Sequence, residues 1–390
     1  MNWKVTIKNT IEELAKLKKD VKIENEGDPE HELSDAEDKV MKIELEEEFK
    51  PTMYSLYEFK SLNDKRIASI DSSSRYLRDF SVNTCLIGLS VYSNREGFID
   101  GPFTVDIPYI GISSYREILE SLKIDDINVR YKNVVNYYYV NEPNNEYKID
   151  DIADELRLEA ENVGLKRVIQ NHDIVIIDGP IYPTPLELTE EINLETEARR
   201  KHRLAYAKLV NERIELLNNN VIGVVKRLEN SKKLWRVKEI NETIGNVKRM
   251  KDVTIIELID ERLCRKNYEY VCTIGPFKIE YALEVKDEDG RNVIEKVPTK
   301  YAYYVIIRKK YFPPTFLRIE STNKNLDISP VLSRLTERLM PTYIEIVDRR
   351  SKRISASLFL YAYEIASNYL NIIHDDKMGY LSVISQFTSE

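Results

Sequence analysis

Between residues 3 and 20, Val5, Ile7, Ile11, Leu14 and Leu17 recur at helical spacing with charge between them, which predicts an amphipathic N-terminal helix. An acidic stretch follows over 21–50, with Glu44, Glu46, Glu47 and Glu48 around Leu45 and Pro51 behind them, and is expected to be solvated or to face a partner. Residues 54–59 suggest a short helical piece, and 66–70 a short strand that stops at Asp71. The segments 84–92 and 104–110 are rich in β-formers and bounded by Asn, Gly and Pro, so successive antiparallel strands are expected there. Over 150–170 the period becomes helical again, with Ile152, Leu156, Glu159, Val163 and Ile169 among charges. Four consecutive apolar residues then precede Asp178 in the run 173–178, the pattern of a strand buried on both faces, and Gly179-Pro180 ends it. A long charged helix over 187–217, strands at 221–225, 301–307 and 315–320, and an amphipathic helix over 351–373 complete the prediction. Neither repeats nor a low-complexity linker interrupt the chain. One elaborated α/β domain over 51–390, preceded by the segment 1–50, is therefore expected.

The 390 residues are 42% hydrophobic and 32% charged, which suits a globular protein with a substantial core. No apolar run approaches the roughly 18 residues of a membrane span, and the start lacks the apolar stretch of a signal peptide, so a cytoplasmic protein without a membrane partner is expected. Cys85, Cys264 and Cys272 form an odd set without close pairing and are expected to be small buried hydrophobes rather than a disulfide framework. Few glycines (12) beside many Ile, Lys and Glu lean toward the usage of hot environments. A net charge of −8 argues against a general nucleic-acid coat but leaves room for a local basic groove.

Among chemical motifs, the phosphate-cradling G-x-x-x-x-G-K-[ST] and the dinucleotide G-x-G-x-x-G are absent, so the chain is not expected to be its own motor. The four histidines, His31, His172, His202 and His374, are scattered, and no H-E-x-x-H or G-x-S-x-G occurs. What remains is acid placed after apolar runs. Asp71 is followed by Ser72, Ser73, Ser74 and Arg75, and Asp178 by Gly179 and Pro180. Two such acids can converge beyond strand ends, and converging carboxylates repel unless a cation lies between them, for which a hard divalent ion is the natural occupant.

The segments 67–75, 175–183, 221–227, 317–320 and 341–354 resemble the successive motifs of the NurA nuclease family, with the strand and Asp178-Gly179-Pro180 block the most specific and the Asp71 block next. The resemblance covers about 51–370. It implies a ribonuclease H-like mixed sheet flanked by helices and a divalent-metal DNA nuclease using Mn2+ or Mg2+, with two ions. It also implies a homodimer docked on a hexameric HerA-like translocase in end resection at double-strand breaks. The alternative is a non-catalytic DNA-end adaptor of that translocase that has kept the fold.

Carried onto this chain, the resemblance makes Asp71 and Asp178 metal ligands. It also asks for a Glu on the preceding helix, for which Glu159 is the choice, with Glu155 and Glu161 as rivals. Glu155 and Glu159 share a helix face that Glu161 does not. Lys226 matches a lysine expected to meet a phosphate. Asp348 stands where the family often has His and could supply a fourth oxygen, with Tyr343 and Arg349 flanking it. For DNA contact, basic runs at 199–203, at 226–227 with 232–238, at 308–310 and at 349–353 can neutralise phosphates, the two after strand ends being the better candidates; Lys226, Arg227, Lys232, Lys233 and Arg349 are the named contacts, and Trp235 and Tyr311 could stack on single-strand bases. Ile11 and Leu14 are the candidates for a docking or dimer surface.

Overall fold

Among the described residues, most strands join one sheet, and helices pack on its two faces. The structure, a computed structural model, describes residues 41–59, 64–78, 82–114, 129–130, 149–183, 197–265, 269–282, 285–287, 289–294, 296–367 and 372–388. Its strands are β1 (Met41–Leu45), β2 (Thr52–Tyr54), β3 (Ile67–Arg78), β4 (Val82–Ser93), β5 (Gly97–Gly101), β6 (Ile110–Ser114), β7 (Val129–Arg130), β8 (Ile174–Asp178), β9 (Val221–Val225), β10 (Tyr270–Tyr281), β11 (Val285–Lys286), β12 (Asn292–Ile294), β13 (Lys300–Arg308) and β14 (Thr315–Ser321). The principal helices are α1 (Ile149–Val168), α2 (Glu197–Leu216), α3 (Lys238–Ile244), α4 (Asp252–Ile259), α5 (Ser329–Leu332), α6 (Thr342–Ala366) and α7 (His374–Thr388).

A mixed sheet of twelve strands runs in the order β1-β10-β13-β14-β9-β8-β3-β4-β6-β7, with β2 beside β10 and β5 beside β4. At its centre β3, β8 and β9 are parallel, Ile70 lying opposite Ile177 and Asp178 opposite Val224. The long β4 returns antiparallel along β3, pairing Ser90 with Asp71. Helices cover both faces. On one face Gly164 of α1 packs against Val91, Ile70 and Leu89. On the other, a Cβ on Gly88 of β4 would lie 2.6 Å from the backbone nitrogen of Ser355 and 2.8 Å from the carbonyl of Ser351, so α6 rests directly on that strand. Only a residue without a side chain permits so close an approach.

Several expectations change. The run 54–59 is not helical: β2 ends at Tyr54 and a turn closed by the Glu58 N–H to the Ser55 carbonyl follows. Asp71 does not end its strand; β3 continues seven residues beyond it to Arg78 because it stays paired with β4. The segment 104–109 is a turn and a link, since the Thr104 hydroxyl and amide both bond the Asp100 carbonyl and the next strand starts at Ile110. The last predicted helix begins earlier, at Thr342, and ends at Ala366. Part of the acidic stretch, Met41–Leu45, is an edge strand on β10 that buries Met41 and Ile43. Cys264 and Cys272 are buried as expected but form a disulfide, with Cα atoms 6.2 Å apart, because β10 returns alongside the end of the helical segment containing Cys264. Cys85 is free and buried. The predicted helix over 3–20, with Ile11 and Leu14, lies outside the described residues. No described helix is long and apolar enough to cross a membrane.

Candidate metal centre

Alternation along β3 and β8 sends Asp71 and Asp178 to the face that α6 covers, while their neighbours Ile70 and Ile177 point into the core shared with α1. Beyond Asp178, β8 stops and the side of β3 is no longer paired there, which opens the sheet beside the two acids. α6 lies across this opening and brings Asp348. One carboxylate oxygen from each of Asp71, Asp178 and Asp348 falls within 4.8 Å of the others. Three acids separated by more than a hundred residues each thus meet at one point.

Their surroundings differ. Asp71 is 5% exposed and its Oδ2 accepts a hydrogen bond of 2.5 Å from the Ser351 hydroxyl, one turn along α6 from Asp348. Burial, then the charge of Asp178, pushes the Asp71 carboxyl up to about 8. Burial likewise raises Asp178 to about 6 against the pull of Lys226. The Lys226 ammonium donates to Asp178 at 2.6 Å and to Asp348 at 2.5 Å, bridging the two. Lys352 donates to the second oxygen of Asp348 at 2.6 Å. Although burial opposes it, these two lysines hold the Asp348 carboxyl below the ordinary range. Lys226 therefore meets carboxylates here, in the same cleft where the sequence expected it to meet phosphate.

The helical acid beside this cluster is Glu161, not Glu159. On the α1 side of β3, the Ser72 hydroxyl donates to Glu161 at 2.6 Å and buried Arg213 of α2 donates to its other oxygen at 3.1 Å. The charge of Glu161 acts on both Asp71 and Asp178. Arg157, one turn earlier, donates to the Ser72 hydroxyl at 3.3 Å and also faces the Asp71 charge. Glu155 is turned the other way, bonded to His202 of α2 at 2.7 Å, and Glu159 follows it one turn later on that same side. The helix is one the sequence located; the face was chosen by the sheet.

Behind the cluster, the turn after Asp178 is anchored by a buried ionic group. Glu320 accepts from the Ile181 amide and from Lys300 at 3.0 Å and from Arg318 at 2.9 Å, and Lys300 also bonds the Tyr182 carbonyl. This explains the 317–320 motif as support for the Gly179–Pro183 backbone. Gly223 of β9 completes it: a Cβ there would lie 2.6 Å from the Ile181 nitrogen.

The proposed DNA contacts separate into two groups. Arg227 is exposed and Lys232 half-buried. Lys233 is buried, its ammonium against Met41 and over the Tyr281 ring, so it is unavailable to phosphate. Trp235 packs on the main core with Arg236 over its ring. Arg349 is exposed and pairs with Glu345 along α6, and Tyr343 is buried against Tyr92. Ser351, Arg157 and Arg213 escaped the sequence reading, although Ser351 lies at the i+3 position from Asp348 and Arg157 at i−4 from Glu161, spacings that share a helix face.

A family model described as the NurA domain matches residues 65–353, a span that contains every group of this cluster. No curated protein matches the chain in sequence. Among solved structures, the chain is similar to the NurA nuclease from Sulfolobus solfataricus, at 12% identity over 94% of this chain and 96% of that one, with a TM-score of 0.42. It is also similar to NurA bound to dAMP and manganese (11% identity, 85% and 92% coverage, TM-score 0.45) and to NurA with manganese (10%, 92% and 98%, 0.42).

Proposed function

The chain belongs to the NurA family, and on that premise we propose that it is a divalent-metal-dependent DNA nuclease of ribonuclease H-like fold. In this proposal it uses manganese or magnesium and works as a homodimer in the cytoplasm with a hexameric HerA-type translocase in the resection of DNA ends. The observation that carries the nuclease reading is the meeting of Asp71, Asp178 and Asp348 within 4.8 Å, on one face of the sheet and beside a lysine. The central order, with β4 antiparallel to β3 and both β8 and β9 parallel to it, agrees with the fold assignment.

The donor set suits a hard cation. All three groups offer oxygen, and the two most buried are held neutral-leaning by burial and mutual repulsion, a cost that a divalent ion removes. Asp71, Asp178 and Asp348 would hold the ion, which when bound supplies Lewis acidity toward a phosphate oxygen and a lowered pKa for water. The chain's own groups do the rest. Ser351 orients the Asp71 carboxylate, and Ser72 with Arg213 fixes Glu161 on the opposite side of β3. Lys226, kept charged by Asp178 and Asp348, is placed to neutralise a phosphate entering the cleft.

Purified protein incubated with linear DNA decides between this and the adaptor alternative. Manganese-dependent cleavage is expected, abolished by chelation and reduced roughly a thousandfold by Asp178→Asn, on the scale of losing one preorganised electrostatic group. A folded Asp178→Asn variant that cleaves at the wild-type rate overturns the assignment.

A further inference from the structure

One segment is exposed and strained, and it stands on the same edge of the sheet as the acids. Arg318 of β14 pairs with Val225 of β9, and Val224 pairs with Asp178 of β8. The first residues of β14, and the hairpin that joins it to β13, therefore project from the edge at which β8 and β9 end. Two interstrand steps of about 4.8 Å separate β14 from β8, so the hairpin stands about 10 Å to the side of the strand that ends in Asp178, and because Ile319 is level with Asp178 the four residues back to Thr315 carry the tip at least about 13 Å further along the strand direction.

The tip is Lys309-Lys310-Tyr311-Phe312, closed by the Phe312 amide donating to the Lys309 carbonyl and followed by Pro313 and Pro314, whose rings fix the backbone on leaving it. Tyr311 is 90% exposed and adopts a φ of 69°, a left-handed conformation that costs a bulky residue energy. Burial of its ring does not offset that cost. Phe312 beside it is 46% exposed. The ammonium groups of Lys310 and Lys309 lie 4.9 Å and 5.7 Å from the Tyr311 and Phe312 ring centroids. A second exposed ring, Tyr57, follows β2 on the same edge, because Tyr54 pairs with Val271 and Tyr270 with Arg308. A turn that holds an aromatic ring outward beside cations offers a face for a base and charges for the neighbouring phosphates.

We propose that the β13–β14 hairpin tip binds an unpaired strand of the nucleic-acid substrate, Tyr311 stacking on a base while Lys309 and Lys310 meet the flanking phosphates. The assignment rests on the nuclease reading of the acid cluster for its choice of ligand. A protein surface is the less suitable occupant, because the tip is a narrow turn rather than an apolar patch. Base-paired DNA hides its base faces in the stack, so only frayed or single strands can use the ring.

The test uses the full chain in chelator, with fluorescein-labelled oligothymidine and a blunt duplex of equal length, read by anisotropy. Tyr311→Ala is expected to weaken oligothymidine binding about tenfold, within the range that one stacked base supplies, with duplex binding changed less than about twofold and the melting temperature unaltered. Tyr311→Trp restores the single-strand affinity. Lys309→Ala with Lys310→Ala flattens the dependence of log affinity on log salt by about 1.4 for the single strand. Equal oligothymidine affinity in Tyr311→Ala and wild type, an equal loss on both DNA forms, or a wild type that binds no oligothymidine overturns the proposal. Manganese-dependent cleavage by the wild type is scored separately: its absence alone removes the nuclease reading, and the Tyr311 effect alone decides the tip.

Discussion

Replacing Asp71 by Asn distinguishes a ligand carboxylate from a structural one, because the two roles predict opposite changes in stability. Burial and the adjacent Asp178 push the Asp71 carboxyl from 3.8 to about 8. An acid whose folded value lies above its unfolded one binds its proton more tightly in the fold, so it weakens the fold progressively as pH rises from about 4 to about 8. The full interval corresponds to an upper limit of about 6 kcal/mol. Ser351 donates to the charged form, and removing one carboxylate leaves Asp178 still buried, so about a third of the limit, ~2 kcal/mol, is the expected gain in Asp71→Asn near pH 8. In chelator this raises the melting temperature by about 2 °C in a chain of this size. At pH 5 the wild-type carboxyl is already neutral in the fold and the difference between the proteins shrinks. Millimolar manganese should raise the melting temperature of the wild type by mass action and leave that of Asp71→Asn little changed. Differential scanning calorimetry at both pH values, with and without manganese, measures all four quantities. If Asp71→Asn melts below the wild type in chelator at pH 8, Asp71 is a structural hydrogen-bonding group and the reasoning fails.

Glu161→Gln should cut manganese-dependent cleavage by about a hundredfold or more, whereas Glu159→Gln, on the α2 side of the helix, should cleave near the wild-type rate; the reverse order in a gel assay restores Glu159. Gly88→Ala forces a methyl group into the Ser355 and Ser351 backbone and should cost about 1–3 kcal/mol by urea titration while lowering manganese affinity, since Ser351 and Asp348 move away with α6. Glu320, buried with Lys300 and Arg318, has its carboxyl lowered from 4.5 to about 2, so its contribution is complete above pH 4.5 and disappears as pH falls toward 2. Urea midpoints should therefore fall over that interval. Glu320→Gln should destabilise the protein at pH 7 by about 3 kcal/mol, having left two buried cations short of a partner, and should show a shallower acid dependence.

Much of this architecture was legible because apolar period and strand punctuation are local. The run before Asp178 and the period of α1 located their elements to within a residue or two. The strand through Asp71 was harder. Ser72 to Ser74 look like a loop in isolation, yet they sit in β3 because small side chains let helices approach both faces, Ser72 meeting Glu161 and Ser73 meeting Ser355. Helical period tells which acids of α1 share a face but not which face meets the sheet. Gly164 carried that information: a glycine packed on Val91 marks the sheet side, and Glu161 lies three residues before it. The fates of Lys233 and Trp235 were not readable locally, since the groups that cover Lys233 come from Met41 and Tyr281, far along the chain.

The rest of α6 against Gly88 also has a consequence for how this protein is made. Asp71, Asp178 and Lys226 are all synthesised well before Asp348 and Ser351, and the latter two reach them only when α6 docks on β4. A chain still attached to the ribosome and translated as far as the end of β14 carries the sheet's acids without the helix that completes the cluster. If the three acids hold an ion, the full donor set exists only once the helix that begins at Thr342 has been made, so a product ending at β14 is expected to lack metal-dependent cleavage while still carrying the β13–β14 tip.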